Sequence, residues 1–158
     1  MYRQFLVIDV QFIYSFVLVI KGSRCPSDWI ELESSCYYFS ANVTNWHEAR
    51  RICQLKGGDL AVPKSDAENK AIFDVVQRKR MSGPYIGLFR NESDKEIYTV
   101  QNVKPNFTNW NRAQPDNSEG VEDCVHYQYL STEWNDIPCR NFYQFICQGE
   151  QRKIKCKY

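Results

Sequence analysis

Oxygen-bearing side chains are concentrated in two short stretches in the second half of the chain. The first stretch offers one amide and two carboxylates (Gln114, Asp116 and Glu122), and the second offers one amide and one carboxylate (Asn135 and Asp136). A protein-bound Ca²⁺ ion takes about 6–8 oxygen ligands at about 2.3–2.6 Å. These five side chains would leave room for a backbone carbonyl, a water or another ligand. The pattern therefore predicts a calcium site that stays open on one side.

The balance of charges in this set bears on what else it could hold. Three carboxylates exceed the charge of the ion, while two amides keep the site from becoming a fully anionic cage. A polyol whose neighbouring hydroxyls complete the shell would fit such a site. The alternative is an acidic, amide-rich surface loop, which Gln114-Pro115-Asp116 alone would favour. The addition of Glu122 and of Trp134-Asn135-Asp136, at this spacing around two cysteines, favours the site.

The composition limits the class of protein to which such a site belongs. The chain has 158 residues, typical of one domain, and its net charge of +1 gives no general attraction to nucleic acid. Seven cysteines in so short a chain indicate an oxidising compartment. No cysteine pair has the C-x-x-C spacing and only two histidines are present, which argues against a zinc site or a thioredoxin-like centre. The sequence shows no set of nucleophile, base and acid, so we do not expect an enzyme.

The two ends of the chain differ in composition from the part between them. Residues 1–22 contain a largely apolar run, interrupted by Asp9, and are interpreted as a cleaved signal peptide. Two alternatives are a short membrane anchor and a wrongly assigned first exon. We expect a folded domain at residues 23–149 and a basic tail at 150–158. The predicted location is extracellular, or the cell surface if the first segment is an anchor.

Three Asn-x-Ser/Thr sequons agree with export. They begin at Asn42, Asn91 and Asn106 and predict N-glycosylation in surface loops. A single sequon often arises by chance, whereas three in a cysteine-rich chain support passage through the secretory pathway.

Local patterns predict two helices early in the chain and several short strands. Thr44 or Asn45 can cap a helix over about 46–55, and a capping box of Ser65 and Glu68 opens a second helix. Short strands are predicted within 25–29, 33–39, 59–62, 85–89, 97–98, 123–129, 132–136 and 144–147. This arrangement is typical of an α+β domain.

Residues Cys25–Cys147 resemble a C-type lectin-like domain. The segments that carry the resemblance occur in family order: Cys25, Cys36, Trp46–Cys53, Gly58–Ala61, Tyr85–Leu88, Trp110, Gln114–Asp116, Glu122–Cys124, Trp134–Asp136 and Phe145–Cys147. The resemblance implies an α+β, C-type lectin-like fold with two helices, short antiparallel sheets and a long calcium-binding loop region. It covers nearly the whole of the predicted mature chain.

The resemblance also implies a disulfide pattern. The implied pairs are Cys53–Cys147, Cys124–Cys139 and Cys25–Cys36. The last pair marks the long form of the domain, which has an extra N-terminal hairpin. The cysteines alone allow many pairings, so this pattern is taken from the family. The remaining Cys156 could link two chains into a homodimer or stay an unpaired thiol.

Members of the family that bind sugar do so through calcium. The implied residues for both calcium and carbohydrate are Gln114, Asp116, Glu122, Asn135 and Asp136, with a cis peptide bond at Pro115 and the Asp136 backbone carbonyl as a further donor. In the family, Gln-Pro-Asp goes with galactose-like sugars and Glu-Pro-Asn with mannose-like sugars. Gln114 offers an NH₂ donor where Glu only accepts, and Asp116 accepts where Asn would donate. We therefore expect a calcium-dependent lectin for galactose or N-acetylgalactosamine glycans.

The chain departs from the family pattern in two places. Strong galactose binders usually carry a Trp shortly after Gln-Pro-Asp, where this chain has Asn117-Ser118-Glu119-Gly120. Since stacking contributes about 1 kcal/mol, we expect weak affinity that multivalency would raise. Arg90 and the loop after it do not favour a second, auxiliary calcium site.

The alternative function is a calcium-independent, protein-binding module, although such domains usually lose part of the ligand set that this chain retains.

Overall fold

The structure, a computed structural model, describes residues 25–152 of the 158-residue chain. The predicted signal peptide at residues 1–22 and the question of Cys156 lie outside the described residues. Within residues 25–152, no helix is both long enough and apolar enough to cross a membrane.

Two helices begin at capping residues that the sequence predicts. Helix α1 (Trp46–Leu55) follows Asn45, whose side-chain oxygen accepts a backbone N–H of the first turn at 3.0 Å. Helix α2 (Asp66–Arg78) follows Ser65, whose hydroxyl accepts the Glu68 N–H at 3.2 Å. The Glu68 carboxylate, the other half of the predicted capping box, instead accepts the N–H of the residue before Ser65 at 2.7 Å. At the start of each helix, the capping side chain thus satisfies a backbone N–H that the first turn leaves without a partner.

The described residues form two antiparallel sheets of four strands each. The strands are β1 (Ile30–Leu32), β2 (Ser35–Phe39), β3 (Asp59–Leu60), β4 (Tyr85–Arg90), β5 (Ile97–Thr99), β6 (Cys124–Tyr127), β7 (Trp134–Ile137) and β8 (Ile146–Glu150). One sheet has the order β1-β2-β8-β3 and brings the two ends of the described chain together. The other sheet has the order β5-β4-β6-β7. This architecture confirms the predicted α+β fold with two helices and short antiparallel sheets.

Two predicted strands have different bounds in the structure. The segment 25–29 is a turn, in which the Trp29 N–H donates to the Pro26 carbonyl at 3.0 Å, and the first strand follows it as β1. The strand predicted within 144–147 begins later and continues to Glu150, because β8 pairs with β2 along its whole length. Glu150 therefore belongs to the sheet and not to the tail. The other strands lie where predicted, with shifted ends.

Three disulfides brace the domain. They are Cys25–Cys36, Cys53–Cys147 and Cys124–Cys139, the pairs that the resemblance implies. The first closes the N-terminal hairpin, the second joins α1 to β8, and the third joins β6 to the segment after β7. A disulfide contributes roughly 2–5 kcal/mol to stability, with the larger values expected where it closes a longer segment of chain. The third bridge also keeps the two stretches of candidate calcium donors close together.

A buried polar network fixes β6 and β7 to α2. The Asn69 side chain, on α2, accepts hydrogen bonds from the Trp134 indole N–H at 3.0 Å and from the Tyr127 hydroxyl at 2.7 Å. It also donates to the Thr132 carbonyl at 3.0 Å. Asn69, Tyr127 and Trp134 are all fully buried. Trp134 is thus a core residue, and it fixes the start of the strand that carries two candidate donors.

Candidate functional site

The second candidate stretch lies on β7, which is held by backbone hydrogen bonds along both edges. The Trp134 N–H donates to the Asn109 carbonyl at 2.8 Å, and the Asn111 N–H donates to the Trp134 carbonyl at 2.9 Å. On its other edge β7 pairs with β6, in a register that places Asp136 opposite Val125. Asp136 is therefore fixed between the sheet and the long loop that precedes β6.

The Asp136 carboxylate is the point around which the first candidate stretch folds. Its Oδ1 accepts the Asp116 N–H at 3.2 Å, and its Oδ2 accepts the Asn117 N–H at 2.9 Å. The Gln114–Pro115 peptide bond is cis, as predicted, and Gln114 Oε1 also accepts from the Asp116 N–H at 3.1 Å. Asn117 has a φ of 47°, in the left-handed region that Asn tolerates better than most residues. The buried carboxylate thus satisfies backbone donors of the turn.

Glu122 completes a group of three carboxylates. Its N–H donates to the Asn117 side chain at 3.0 Å, and its Oε2 accepts the Ser118 N–H at 3.1 Å. Asp116, Glu122 and Asp136 each offer one oxygen, and these oxygens lie within 4.8 Å of one another. Burial raises the pKa of the Glu122 carboxyl above its usual value, and the nearby charges of Asp136 and Asp116 act in the same direction. The local charge therefore favours a cation.

One candidate amide contacts the loop of this acidic group, and the other is adjacent to it along β7. Gln114 is half-buried and contacts the Asp116 N–H through its side-chain oxygen. Asn135 is half-buried and lies between Trp134 and Asp136 on β7. The structure thus groups three of the five predicted donors, and a fourth, Gln114, bonds to the backbone of the same turn; the fifth, Asn135, is the neighbour of Asp136 in the chain.

An arginine that sequence analysis did not place at the site contacts the same carboxylate. Arg90, the last residue of β4, donates from Nη2 to Asp136 Oδ2 at 2.5 Å. It also donates from Nη1 to the Lys95 carbonyl at 2.9 Å and from Nε to the Glu122 carbonyl at 3.3 Å. The only signal in the sequence is a charged residue directly after the apolar run Tyr85–Phe89. Spacing could not identify its partner, because the contact joins β4 to β7 across β6.

The donor set fits a calcium ion. Every candidate ligand is an oxygen, the type of donor that Ca²⁺ prefers. A carboxylate has roughly four acceptor positions, and among residues 25–152 Asp136 accepts hydrogen bonds from Asp116, Asn117 and Arg90 alone. Asp116 is exposed, so its carboxylate is open to an ion or a ligand. Within residues 25–152, no other cluster of three or more acidic, histidine or cysteine side chains has a comparable arrangement.

Comparison with known proteins places this geometry in a family context. The family model of the lectin C-type domain matches residues 42–149. A perlucin-like protein from Mytilus galloprovincialis is 31% identical over 144 residues, which cover 84% of this chain and 91% of that protein. Asialoglycoprotein receptor 1 from Rattus norvegicus is 32% identical over 158 residues and 94% of this chain. The match spans only 54% of the receptor's own length.

The fold agrees with the sequence comparison. The mouse scavenger receptor C-type lectin carbohydrate-recognition domain superposes with a TM-score of 0.74 at 29% identity, over 83% of this chain and 100% of that domain. The similarity therefore extends over most of the described elements and is not confined to one motif. On the family model, the relatives and the shared fold, the chain belongs to the C-type lectin domain family.

Proposed function

We propose that this protein is a calcium-dependent lectin for glycans that end in galactose-like sugars. The observation that carries the proposal is the group formed by the carboxylates of Asp116, Glu122 and Asp136. The names of similar proteins support it, since they describe a carbohydrate-recognition domain and a receptor for asialoglycoproteins. The family is one of lectins and not of enzymes, so the site is one of binding.

The five residues would hold the ion together, and calcium would supply a positive centre that two neighbouring sugar hydroxyls can coordinate. The carboxylates of Asp116 and Glu122 can accept hydrogen bonds from those hydroxyls. The Gln114 side-chain oxygen is engaged by the Asp116 N–H at 3.1 Å, which leaves its NH₂ group to donate to a sugar oxygen. A donor at Gln114 and an acceptor at Asp116 is the order that the resemblance associates with galactose-like sugars.

We expect weak binding of a single sugar. Residues 117–120 contain no aromatic side chain that could stack on the apolar face of a galactose ring. Tyr127 is fully buried and bonded to Asn69, so it is not available for stacking. The Tyr143 ring packs against the Tyr85 ring with 5.5 Å between their centroids. Tight binding to a cell surface would therefore need several domains acting together.

Retention on immobilised sugars tests the proposal. The purified protein is applied to galactose and to mannose columns in calcium, and bound protein is then washed with EDTA. Retention on galactose with release by EDTA is the expected result. Retention on mannose alone would contradict the specificity and leave the calcium site in place. No retention on either sugar, even by a multivalent form, would contradict the lectin proposal.

The contact between Arg90 and Asp136 favours one alternative, a calcium-independent module that binds proteins. The guanidinium lies 2.5 Å from a candidate calcium ligand, so part of the negative charge is neutralised without an ion. Under this alternative the metal-free protein would show no binding heat when titrated with calcium. Calorimetry with calcium therefore separates the two functions before any sugar is tested.

We also propose that the protein is secreted, or held at the cell surface by its N-terminal segment, and N-glycosylated. Asn42 and Asn106 are exposed and Asn91 is half-buried, so all three sequons lie at the surface. Removal of N-glycans should lower the mass of the secreted protein.

A link between two chains through Cys156 would make the protein bivalent, and electrophoresis with and without reductant tests that link.

A further inference from the structure

Arg90 is a nearly buried cation at the edge of the candidate site. Its side chain is 9% exposed, and that of its partner Asp136 is 0% exposed. The guanidinium is held by three acceptors from separate segments: Asp136 on β7, the carbonyl of Glu122 and the carbonyl of Lys95. Its Nε also lies 3.7 Å from the Asp123 carboxylate. So many acceptors fix the side chain in one position.

The order of the site loop, residues 114–122, depends on the carboxylate that Arg90 contacts. Asp136 accepts the N–H groups of Asp116 and Asn117. The Asn117 side chain in turn accepts the Glu122 N–H at 3.0 Å. The loop is therefore linked to Asp136 from its beginning to its end.

A buried carboxylate needs a compensating charge. Burying an ionised group is unfavourable unless it is paired and hydrogen-bonded, and removing one partner of a buried pair is strongly destabilising. A bound metal ion could supply the positive charge for Asp136. In this chain Arg90 supplies it from the protein itself.

We propose that Arg90 is a positioning residue that acts through Asp136 and keeps the site loop ordered without calcium. The inference rests on the proposed function only in treating residues 114–122 as the binding loop. It means that the loop conformation is retained when calcium is removed, so that calcium fills a site that is already formed. Without the guanidinium, the loop would need the ion in order to fold.

Hydrogen exchange of the full-length protein, in EDTA and in calcium, tests this role. Wild type is compared with Arg90→Met, with Arg90→Lys and with Arg112→Met, a matched change of an exposed arginine just before the site loop. In EDTA we expect the Asp116 and Asn117 amides to be protected in wild type and in Arg112→Met. They should exchange at least about tenfold faster in Arg90→Met, with an intermediate rate in Arg90→Lys. Calcium should restore protection in Arg90→Met.

Two results would overturn the proposal: equal exchange of the site loop in wild type and Arg90→Met in EDTA, or a wild-type loop that is protected only in calcium. Peptides from β2 and β8, in the other sheet, report whether a variant is folded. If Arg90→Met is unfolded throughout, the neutral and polar Arg90→Gln decides, and wild-type exchange in its site loop overturns the proposal. If calcium changes exchange in no protein, the EDTA comparison still judges Arg90, and calorimetric titration of wild type with calcium judges the calcium-dependent function separately.

Discussion

Asp136 serves two purposes with one carboxylate. It is fully buried, and its oxygens accept hydrogen bonds from two backbone N–H groups and from Arg90. The same side chain belongs to the group of three carboxylates that fits calcium. Because a buried charge is stable only with such partners, a change at Asp136 alters both the loop and the proposed metal site.

Replacement of Asp136 by alanine should strongly weaken calcium binding. The change removes a proposed calcium ligand and the acceptor for the Asp116 and Asn117 N–H groups. We expect the calcium affinity to fall by at least about 10–100-fold, the loss that follows even from changes in indirect metal partners. Calorimetric titration of metal-free protein measures the effect. Asp74→Ala, an exposed change on α2, is the control, and undiminished affinity in Asp136→Ala would remove Asp136 from the site.

The double change Gln114→Glu and Asp116→Asn should shift the preference from galactose towards mannose. It exchanges donor and acceptor around the ion and keeps the net charge of the site unchanged. We expect the ratio of the two sugar affinities to change by about tenfold or more, which is about 1.4 kcal/mol. Competition by free galactose and free mannose measures the ratio. If calcium binding is intact and the preference is unchanged, specificity lies outside these two residues.

At the level of secondary-structure elements, features that depend on neighbouring residues could be predicted from the sequence. Pairings between distant segments could not. The bounds of α1 follow from the Asn45 cap and the helical spacing of apolar residues, which are properties of neighbouring positions. The extension of β8 to Glu150 depends on pairing with β2, more than a hundred residues away in sequence. The three grouped carboxylates were predicted because oxygen donors are concentrated in two short stretches, and the family resemblance implies the same residues. Arg90 was not identified as part of the site, because no local sequence pattern indicates a contact between β4 and β7 across β6.

Loss of the Asn69 side chain should destabilise the whole second sheet. Asn69→Ala leaves the buried Trp134 indole N–H and Tyr127 hydroxyl without the acceptor they share. A buried polar group without a partner costs about 1–3 kcal/mol, so we expect a loss of about 2–5 kcal/mol in the free energy of unfolding. Chemical denaturation measures it against Lys70→Ala, the exposed neighbour on α2. A loss equal to that of the control would show that the network does not support β6 and β7.

His126 on β6 should make the fold less stable in weak acid. Its ring Nδ1 lies 3.1 Å from the Gly83 carbonyl, and burial lowers its pKa below the usual value, against the opposing effects of that carbonyl and of Asp136. The unfolded chain then binds a proton that the folded chain does not, so stability falls as the pH drops below about 6.5. Thermal unfolding in EDTA between pH 7.5 and 5 should show this slope. His126→Gln should reduce it, and an unchanged slope in that variant would exclude His126 as its source.

At the level of the whole molecule, the disulfides hold together segments that no local element joins. Cys53–Cys147 closes a separation of 94 residues between α1 and β8, whereas Cys25–Cys36 closes one of 11. The site loop lies in the other part of the fold and is braced by Cys124–Cys139. Removal of Cys53–Cys147 or Cys25–Cys36 therefore tests the stability of the domain, whereas removal of Cys124–Cys139 tests the geometry of the site.

The bridges Cys53–Cys147 and Cys25–Cys36 should contribute differently to stability, because they close chain segments of different length. If a disulfide acts by restricting the unfolded chain, removing Cys53–Cys147 should cost roughly 4–5 kcal/mol and removing Cys25–Cys36 roughly 3 kcal/mol. Paired changes to alanine at each bridge, compared by chemical denaturation in EDTA, measure the difference. Cys36, Cys53 and Cys147 are fully buried and Cys25 nearly so, so the packing lost in the two variants is similar. An equal or smaller loss for Cys53–Cys147 would show that native packing, and not the entropy of the unfolded chain, sets the contribution of these bridges.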